Sequence, residues 1–290
     1  MRPDGRPSRR RDGPDVDRER LLVVQDLEDR ASARQHQTYP TRRRPDRRSP
    51  AIGGRSRRQV GRRTTAWSFN PPPGEEIRRM KIAFIGYGQV GAPLADALQR
   101  AGNDVFLAAR NPDSGNVKQA SARNENLRVA SPGEAVAASE IVFLATPPGA
   151  NESAIKAVIK ELQGKILIDC TNPIGPDLSH GLRSETSGAE MIQRLVPETE
   201  VIKAFNIYGY ENFENNIYPG YEVKPAMLYC GRDAEAKQIF SGLLGQLGWD
   251  PLDVGGLEQS LHLEHMALLW VRMVRAGARS PNIVWAALTR

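Results

Sequence analysis

Lys81-Ile82-Ala83-Phe84-Ile85-Gly86-Tyr87-Gly88-Gln89-Val90-Gly91 is the stretch on which the fold turns. Its first five residues are a short apolar run, as expected of a strand buried on both faces. Its last six match Gly-x-Gly-x-x-Gly, and from Gln89 to about Ala101 the residues Val90, Leu94, Ala97 and Leu98 share one helical face. Gly102 closes that helix, and Asp104–Ala109 reads as a second strand. The glycine pattern is weak alone. Between a buried strand and a helix, with another strand following, it predicts a dinucleotide-binding unit. Gly86 then makes the tight turn, Gly88 lets backbone approach the pyrophosphate, and Gly91 lets helix and strand pack closely. Tyr87, Gln89 and Val90 complete a loop at the helix N terminus, where main-chain N–H groups face phosphate.

The alternation continues downstream. Asp113 or Ser114 caps a short helix running toward Arg123, and Leu127–Ala130 is a third strand. Ser131-Pro132-Gly133-Glu134 is a capping box with proline at the first helical position, so 132–139 should be a short helix. Glu140–Ala145, Lys165–Cys170 and Val201–Phe205 are further buried strands, with helices expected at Asn151–Leu162 and about 187–195. Ala226–Cys230 and Asp250–Val254 are two more strands. Helices from Asp233 to about Leu247 and from Leu257 to about Val274 follow them. Uniformly apolar strands alternating with helices predict a Rossmann-like, doubly wound parallel sheet. The expected division is a dinucleotide-binding domain at 80–206 and a smaller C-terminal α/β portion at 207–290. Whether the last strands extend the main sheet is not readable from the pattern.

Charge divides the chain at the same boundary. Residues 1–79 hold 21 Arg, no Lys and 11 acids, a net of +10, whereas the remainder holds 19 basic and 23 acidic residues, a net of −4. The overall +6 therefore belongs to the leader, and nothing in the body calls for a nucleic-acid partner. The leader is rich in Arg, Pro, Gly and Ser and should be disordered. Its arginine without lysine also suits translated upstream sequence, so Met80 is the expected biological start. Cys170 and Cys230 are too few for a disulfide framework and read as buried reduced thiols of a cytoplasmic protein. No apolar run is long enough to span a membrane.

The end of the second strand discriminates between cofactors. NAD-binding versions carry an acid there for the ribose 2′-hydroxyl. Here the strand ends Ala108-Ala109-Arg110-Asn111, and Asp104 sits at its other end, about 16 Å away. Arg110 is placed to pair with a 2′-phosphate, and Asn111 or Ser114 can add a bond, so NADP(H) is expected.

Ligands in such folds lie beyond the carboxyl ends of the strands. Three of those ends read Ala145-Thr146-Pro147-Pro148, Asp169-Cys170-Thr171-Asn172-Pro173 and Lys203-Ala204-Phe205-Asn206. Later segments read Cys230-Gly231-Arg232-Asp233-Ala234, Asp253-Val254-Gly255-Gly256-Leu257 and Leu263-Glu264-His265-Met266-Ala267. In this order the pieces resemble the NADPH-dependent reductases of the deazaflavin coenzyme F420, from Met80 to about Val274. The same domain resembles the cytosolic portion of some membrane ferric reductases. Past Ala276 the chain departs from the family's closing segment.

The resemblance implies direct hydride transfer between nicotinamide and a deazaflavin or flavin-like acceptor, with no side chain acting as nucleophile. It implies that Thr146 and Pro147 wall the nicotinamide ribose and that Asn172 holds the carboxamide. Lys203 and Asn206 flank a strand end on the substrate side. Lys203 either touches a substrate acid or pairs with a neighbouring carboxylate. His180, in the loop after Pro173, is a further substrate-side candidate. His262 and His265 are three apart but lack further ligands in the pattern, so no metal is expected. Two other readings stand beside this one. One is a dehydrogenase of the hydroxy-acid or pyrroline-carboxylate type, although the long helix shows no Lys-x-x-x-Asn. The other is an NADP(H)-binding protein without turnover. An exposed apolar face on 261–274 would favour a homodimer.

Overall fold

The computed structural model describes residues 79–290, so the expectations for the leader fall outside the described residues. One sheet of eight strands runs through them in the order β3-β2-β1-β4-β5-β6-β7-β8. The strands are β1 Lys81–Ile85, β2 Asp104–Ala108, β3 Arg128–Ala130, β4 Ile141–Leu144, β5 Ile166–Asp169, β6 Glu200–Lys203, β7 Ala226–Gly231 and β8 Asp250–Asp253. The first six are parallel; β7 pairs antiparallel with β6, and β8 parallel with β7. The last two strands thus extend the main sheet, through only two residue pairs, Ile202 with Gly231 and Lys203 with Cys230. Strand order reverses between β1 and β4, which places the ligand crevice of a doubly wound sheet beyond Ile85 and Leu144.

Alternate residues of each central strand feed opposite cores. Ile82, Phe84, Ile141, Phe143, Ile168 and Ile202 enter one apolar cluster, while Ala83, Ile85, Val142, Leu144, Leu167 and Val201 enter the other. This is why the strands read as unbroken apolar runs: both faces are covered. The first face is closed by α1 (Gly91–Arg100), α7 (Ala234–Gln246) and α8 (Ser260–Val271) through Leu94, Leu98, Phe240, Leu243, Leu263 and Trp270. The second is closed by α3 (Pro132–Ala137), α4 (Asn151–Lys156) and α5 (Gly188–Leu195) through Val136, Ile155 and Ile192. A short helix, α2 (Gly115–Arg123), follows β2, and a single turn, α6 (Glu211–Glu214), follows β6. Phe84 and Phe143 stack at 4.7 Å on adjacent strands, each worth about 1.5–3 kcal/mol in burial alone.

Helix starts follow the expected chemistry. Ser131 and Glu134 form the capping box of α3, and Asp233 Oδ1 accepts from the Ala236 N–H at the start of α7. A second capping box, Ser187 with Glu190, opens α5.

Three elements differ from expectation. α4 ends at Lys156, because Val158 N bonds to Ile155 O and the chain proceeds in turns that still bury Val158 and Leu162. The last helix is a 3-10 turn at Leu257–Gln259, then α8, then a π-helical turn at Arg272–Ala276. β6 stops at Lys203, where its pairing with β7 ends. Phe205 then adopts φ +55° and sets its ring among Phe143, Phe213, Phe240 and Trp249. A bulky residue in that region costs about 1–3 kcal/mol, offset by burial of the ring.

Candidate active site

The loop from Gly86 to Gly91 joins β1 to α1 at the strand-order reversal. Gly86 has φ +96°, and a Cβ there would lie 2.5 Å from Ala145 O. A Cβ on Gly91 would lie 2.1 Å from Gly86 O. Both glycines are therefore required by the protein's own packing. Gly88 is not: it is exposed, and a Cβ there would meet nothing within 4 Å. The absence of a side chain at Gly88 leaves a cradle open to an incoming group. α1 follows, with Val90 as its N-cap, no side-chain cap and no acid in its first turn. Uncapped N–H groups and the positive end of the helix dipole suit an anion. Tyr87 and Val90 are half-buried beside the loop, and Gln89 is exposed.

β2 lies next to β1 in parallel register, so Arg110 emerges at the same crevice edge. It is exposed and, among the described residues, has no ion-pair partner. Asp104 begins β2 instead and pairs with Arg79 at 2.5 Å and Arg128 at 3.5 Å. Asn111 Oδ1 accepts from the Asp113 N–H at 2.9 Å, forming a local turn. Ser114 is the N-cap of α2, yet its hydroxyl makes no capping bond, is buried and has no partner. Arg110 is thus available to an anion and the buried Ser114 hydroxyl beside it is unpaired, whereas the Asn111 side-chain oxygen is engaged.

On the other side of the crevice, Thr146 is half-buried and Pro147 exposed. Thr146 Oγ1 donates to Asn151 Oδ1 at 2.7 Å. The strand ends of β5 and β6 meet through a pair of amides. Asn172 Nδ2 donates to Asn206 O at 2.8 Å, and Asn206 Nδ2 donates to Asn172 Oδ1 at 3.0 Å. Asn206 Oδ1 is buried with no partner. The turn at Phe205 is what carries Asn206 back toward Asn172.

Lys203 is fully buried and lies 2.8 Å from Asp169 Oδ2 and 2.9 Å from Glu264 Oε1, and it also donates to Thr171 O. Of the two roles open to it from sequence, the structure selects pairing with carboxylates. Burial would lower its pKa, but the charges of Asp169 and Glu264 outweigh burial and hold it above the usual lysine value. Glu264 also accepts from the Gly188 N–H and faces His180 Nε2 at 2.9 Å. His180 Nδ1 accepts from the main-chain N–H groups of Leu182 and Ser184. That leaves the proton on Nε2, donated to Glu264. Both His180 nitrogens are therefore spent in pinning the 174–186 loop to α8. Sequence reasoning did not mark Glu264 or Asp169, the two acids that hold Lys203. Asp169 is an acid near the end of a strand predicted to be buried, Lys165–Cys170, and that was the available signal.

His265 bonds to Ser184 Oγ at 2.9 Å, His262 is exposed, and no trio of His, Cys, Asp or Glu among the described residues could hold a metal ion. Cys170 and Cys230 are free and buried; burial pushes the Cys170 thiol up and the Cys230 thiol to about 12. Both are inert as nucleophiles at neutral pH. No helix among the described residues is long and apolar enough to cross a membrane.

Residues 81–173 match the model of the family described as NADP oxidoreductase, coenzyme F420-dependent. The chain is 27% identical over 208 residues to the F420-dependent NADP reductase of Methanocaldococcus jannaschii, a match covering 66% of this chain and 91% of that one. It is 29% identical over 188 residues to the metalloreductase STEAP3 of Rattus norvegicus, covering 65% of this chain but only 36% of the relative. The chain thus spans about a third of that longer protein and nearly all of the archaeal one. A crystal structure from Arthrobacter sp. FB24, assigned as an F420-dependent NADP-reductase, superposes with a TM-score of 0.61 at 28% identity, covering 69% of this chain and 95% of the other.

Proposed function

We propose, for a chain whose residues 81–173 match the model of the NADP oxidoreductase, coenzyme F420-dependent family, that it moves a hydride between NADP(H) and a deazaflavin or flavin-like acceptor. The observation that carries this reading is Arg110, exposed and without an ion-pair partner among the described residues, on the strand beside the open cradle at Gly88. NADP(H) supplies the hydride when bound. The protein's own part is binding, orientation and exclusion of water. The N–H groups at the start of α1 receive the pyrophosphate over Gly88. Arg110 and the Ser114 hydroxyl receive the 2′-phosphate. Thr146 and Pro147 wall the nicotinamide ribose, and the Asn172–Asn206 amide pair meets the carboxamide. Lys203 and His180, both buried and fully bonded, support the floor of the acceptor side without touching the acceptor.

The test is oxidation of NADPH followed by absorbance, with coenzyme F420, FMN and FAD offered as acceptors in turn. Turnover with F420 alone supports the deazaflavin reading. Turnover with FMN or FAD moves the acceptor to the flavin class, and tight NADPH binding without turnover on any of the three leaves only a binding protein. We further infer a two-part division at 80–206 and 207–290, a cytoplasmic setting and assembly as a homodimer. α8 buries Leu263, Ala267 and Trp270 in the core but leaves Leu269 half-exposed, at 51%, for such a contact.

A further inference from the structure

The crevice wall beyond β4 carries a chain of hydrogen bonds whose direction can be worked out atom by atom. Asp169 Oδ2 is held by the Lys203 ammonium, and Asp169 Oδ1 lies 2.9 Å from the Thr171 main-chain nitrogen and 2.7 Å from Thr171 Oγ1. A carboxylate paired with an ammonium only accepts, so the Thr171 hydroxyl proton points at Asp169. Thr171 Oγ1 has then used its one proton and is left to accept. Asn151 Nδ2, 2.9 Å away, is the donor. That fixes the amide: turned over, it would set its oxygen against the Thr171 oxygen with no proton between them. Asn151 Oδ1 therefore faces Thr146 Oγ1 at 2.7 Å, and the Thr146 hydroxyl is the donor there. Thr146 ends the chain, half-buried at the crevice edge, with only lone pairs left to offer.

We propose that Thr146 is an acceptor-only contact for a hydrogen-bond donor on the nicotinamide riboside half of the dinucleotide. Asn151, Thr171 and Asp169 are positioning residues that set its polarity. The inference rests on the NADP(H) reading above. A free threonine hydroxyl rotates and satisfies a donor or an acceptor alike. Tied as it is here, it rejects an acceptor, because two unprotonated oxygens facing each other in a closed site both go unpaired. The ribose hydroxyls and the carboxamide N–H are the groups on that half with a proton to give.

Equilibrium binding of NADP+ and of adenosine 2′,5′-bisphosphate, which lacks the nicotinamide riboside, to the full chain tests this. Thr146→Val should weaken NADP+ by about three- to tenfold, the worth of one hydrogen bond, and leave the bisphosphate unchanged; Thr146→Ser should restore the native value. Asn151→Leu should cost less in the native background, since Thr146 can then rotate, and nothing more in the Thr146→Val background. Unchanged NADP+ affinity in Thr146→Val overturns the proposal. So does an Asn151→Leu loss that is equal in both backgrounds or shared by the bisphosphate, because the residue then acts on the loop and not through Thr146. Failure of the underlying reading looks different: the native chain does not bind the bisphosphate at all, and the proposal falls with it. The acetylpyridine analogue of NADP+, which lacks the amide N–H, names the donor. A Thr146→Val loss that persists with it assigns the ribose hydroxyl, and one that vanishes assigns the carboxamide, each in support.

Discussion

Replacing Lys203 by Met keeps the length of the side chain and removes its charge, leaving Asp169 and Glu264 buried in the same pocket with no cation between them. Removing one partner of a buried ion pair costs about 3–5 kcal/mol. The lower end applies here, because Asp169 keeps its two bonds from Thr171 and Glu264 keeps the Gly188 N–H and His180. Against a total stability of about 5–15 kcal/mol, that is a large fraction. With a urea slope of about 1–3 kcal/mol per molar, a loss of about 3 kcal/mol should lower the midpoint by about 1–3 M. The loss should also depend on pH. Without the ammonium, one carboxylate retains a proton when folded, so its folded pKa rises above the ordinary value of about 4. A raised pKa stabilises below the unfolded value and ceases to do so as pH rises through the folded one. The deficit should therefore be smaller near about pH 5 than near about pH 8. In the native chain the Lys203 pKa is itself raised, so its contribution is present below about 10.5 and is lost only in stronger alkali. Adding Glu264→Gln to Lys203→Met should recover part of the loss at about pH 8. Urea unfolding of native, single and double variants at the two pH values is the assay. A loss under about 1 kcal/mol with no pH slope would refute the reasoning, since a buried pair cannot be broken that cheaply.

Two glycines of the loop should respond in opposite ways. Gly88→Ala should unfold like the native chain yet lose NADPH affinity, since a Cβ at that position meets only open space in the protein. Gly91→Ala should lower the urea midpoint, because its Cβ falls 2.1 Å from Gly86 O. Ser187→Ala removes the capping box of α5 and should cost about 1 kcal/mol at neutral pH. Burial would raise the Glu190 pKa, but hydrogen bonds from the Ser187 N–H and hydroxyl outweigh it and hold the carboxyl below its usual range. A depressed pKa stabilises above the unfolded value and loses that effect as pH falls through the folded one. The gap between native and Ser187→Ala, read by thermal melts, should thus narrow below about pH 4.5.

The elements were legible where one local rule decided them. Lys81–Ile85, Ser131-Pro132-Gly133-Glu134 and Asp233 each gave a strand, a capping box and a cap that the structure reproduces. Elements that depend on distant partners were not legible. Nothing local in Ala226–Gly231 says that it joins β6 in antiparallel fashion, because the pairing rests on two contacts far apart in sequence. Phe205 read as a strand residue because its neighbours are apolar; its left-handed turn is imposed by the aromatic cluster it enters. The same limit applied to the site. The glycine loop and Arg110 are contiguous with strand ends, so spacing pointed to them. Glu264 lies 61 residues beyond Lys203, on a helix whose pattern reads as core, and only the fold brings the two within 2.9 Å.

The measurement that tests the central claim most directly is fluorescence titration of the native chain and of Arg110→Ala with NADPH and NADH. A charge-assisted bond to the 2′-phosphate is worth about 1.5–3 kcal/mol, or roughly ten- to a hundredfold in affinity. The account predicts that the native chain prefers NADPH by about that factor and that Arg110→Ala abolishes the preference while leaving NADH binding unchanged. Equal affinity for both cofactors in the native chain, or an NADPH preference that survives in Arg110→Ala, would contradict it.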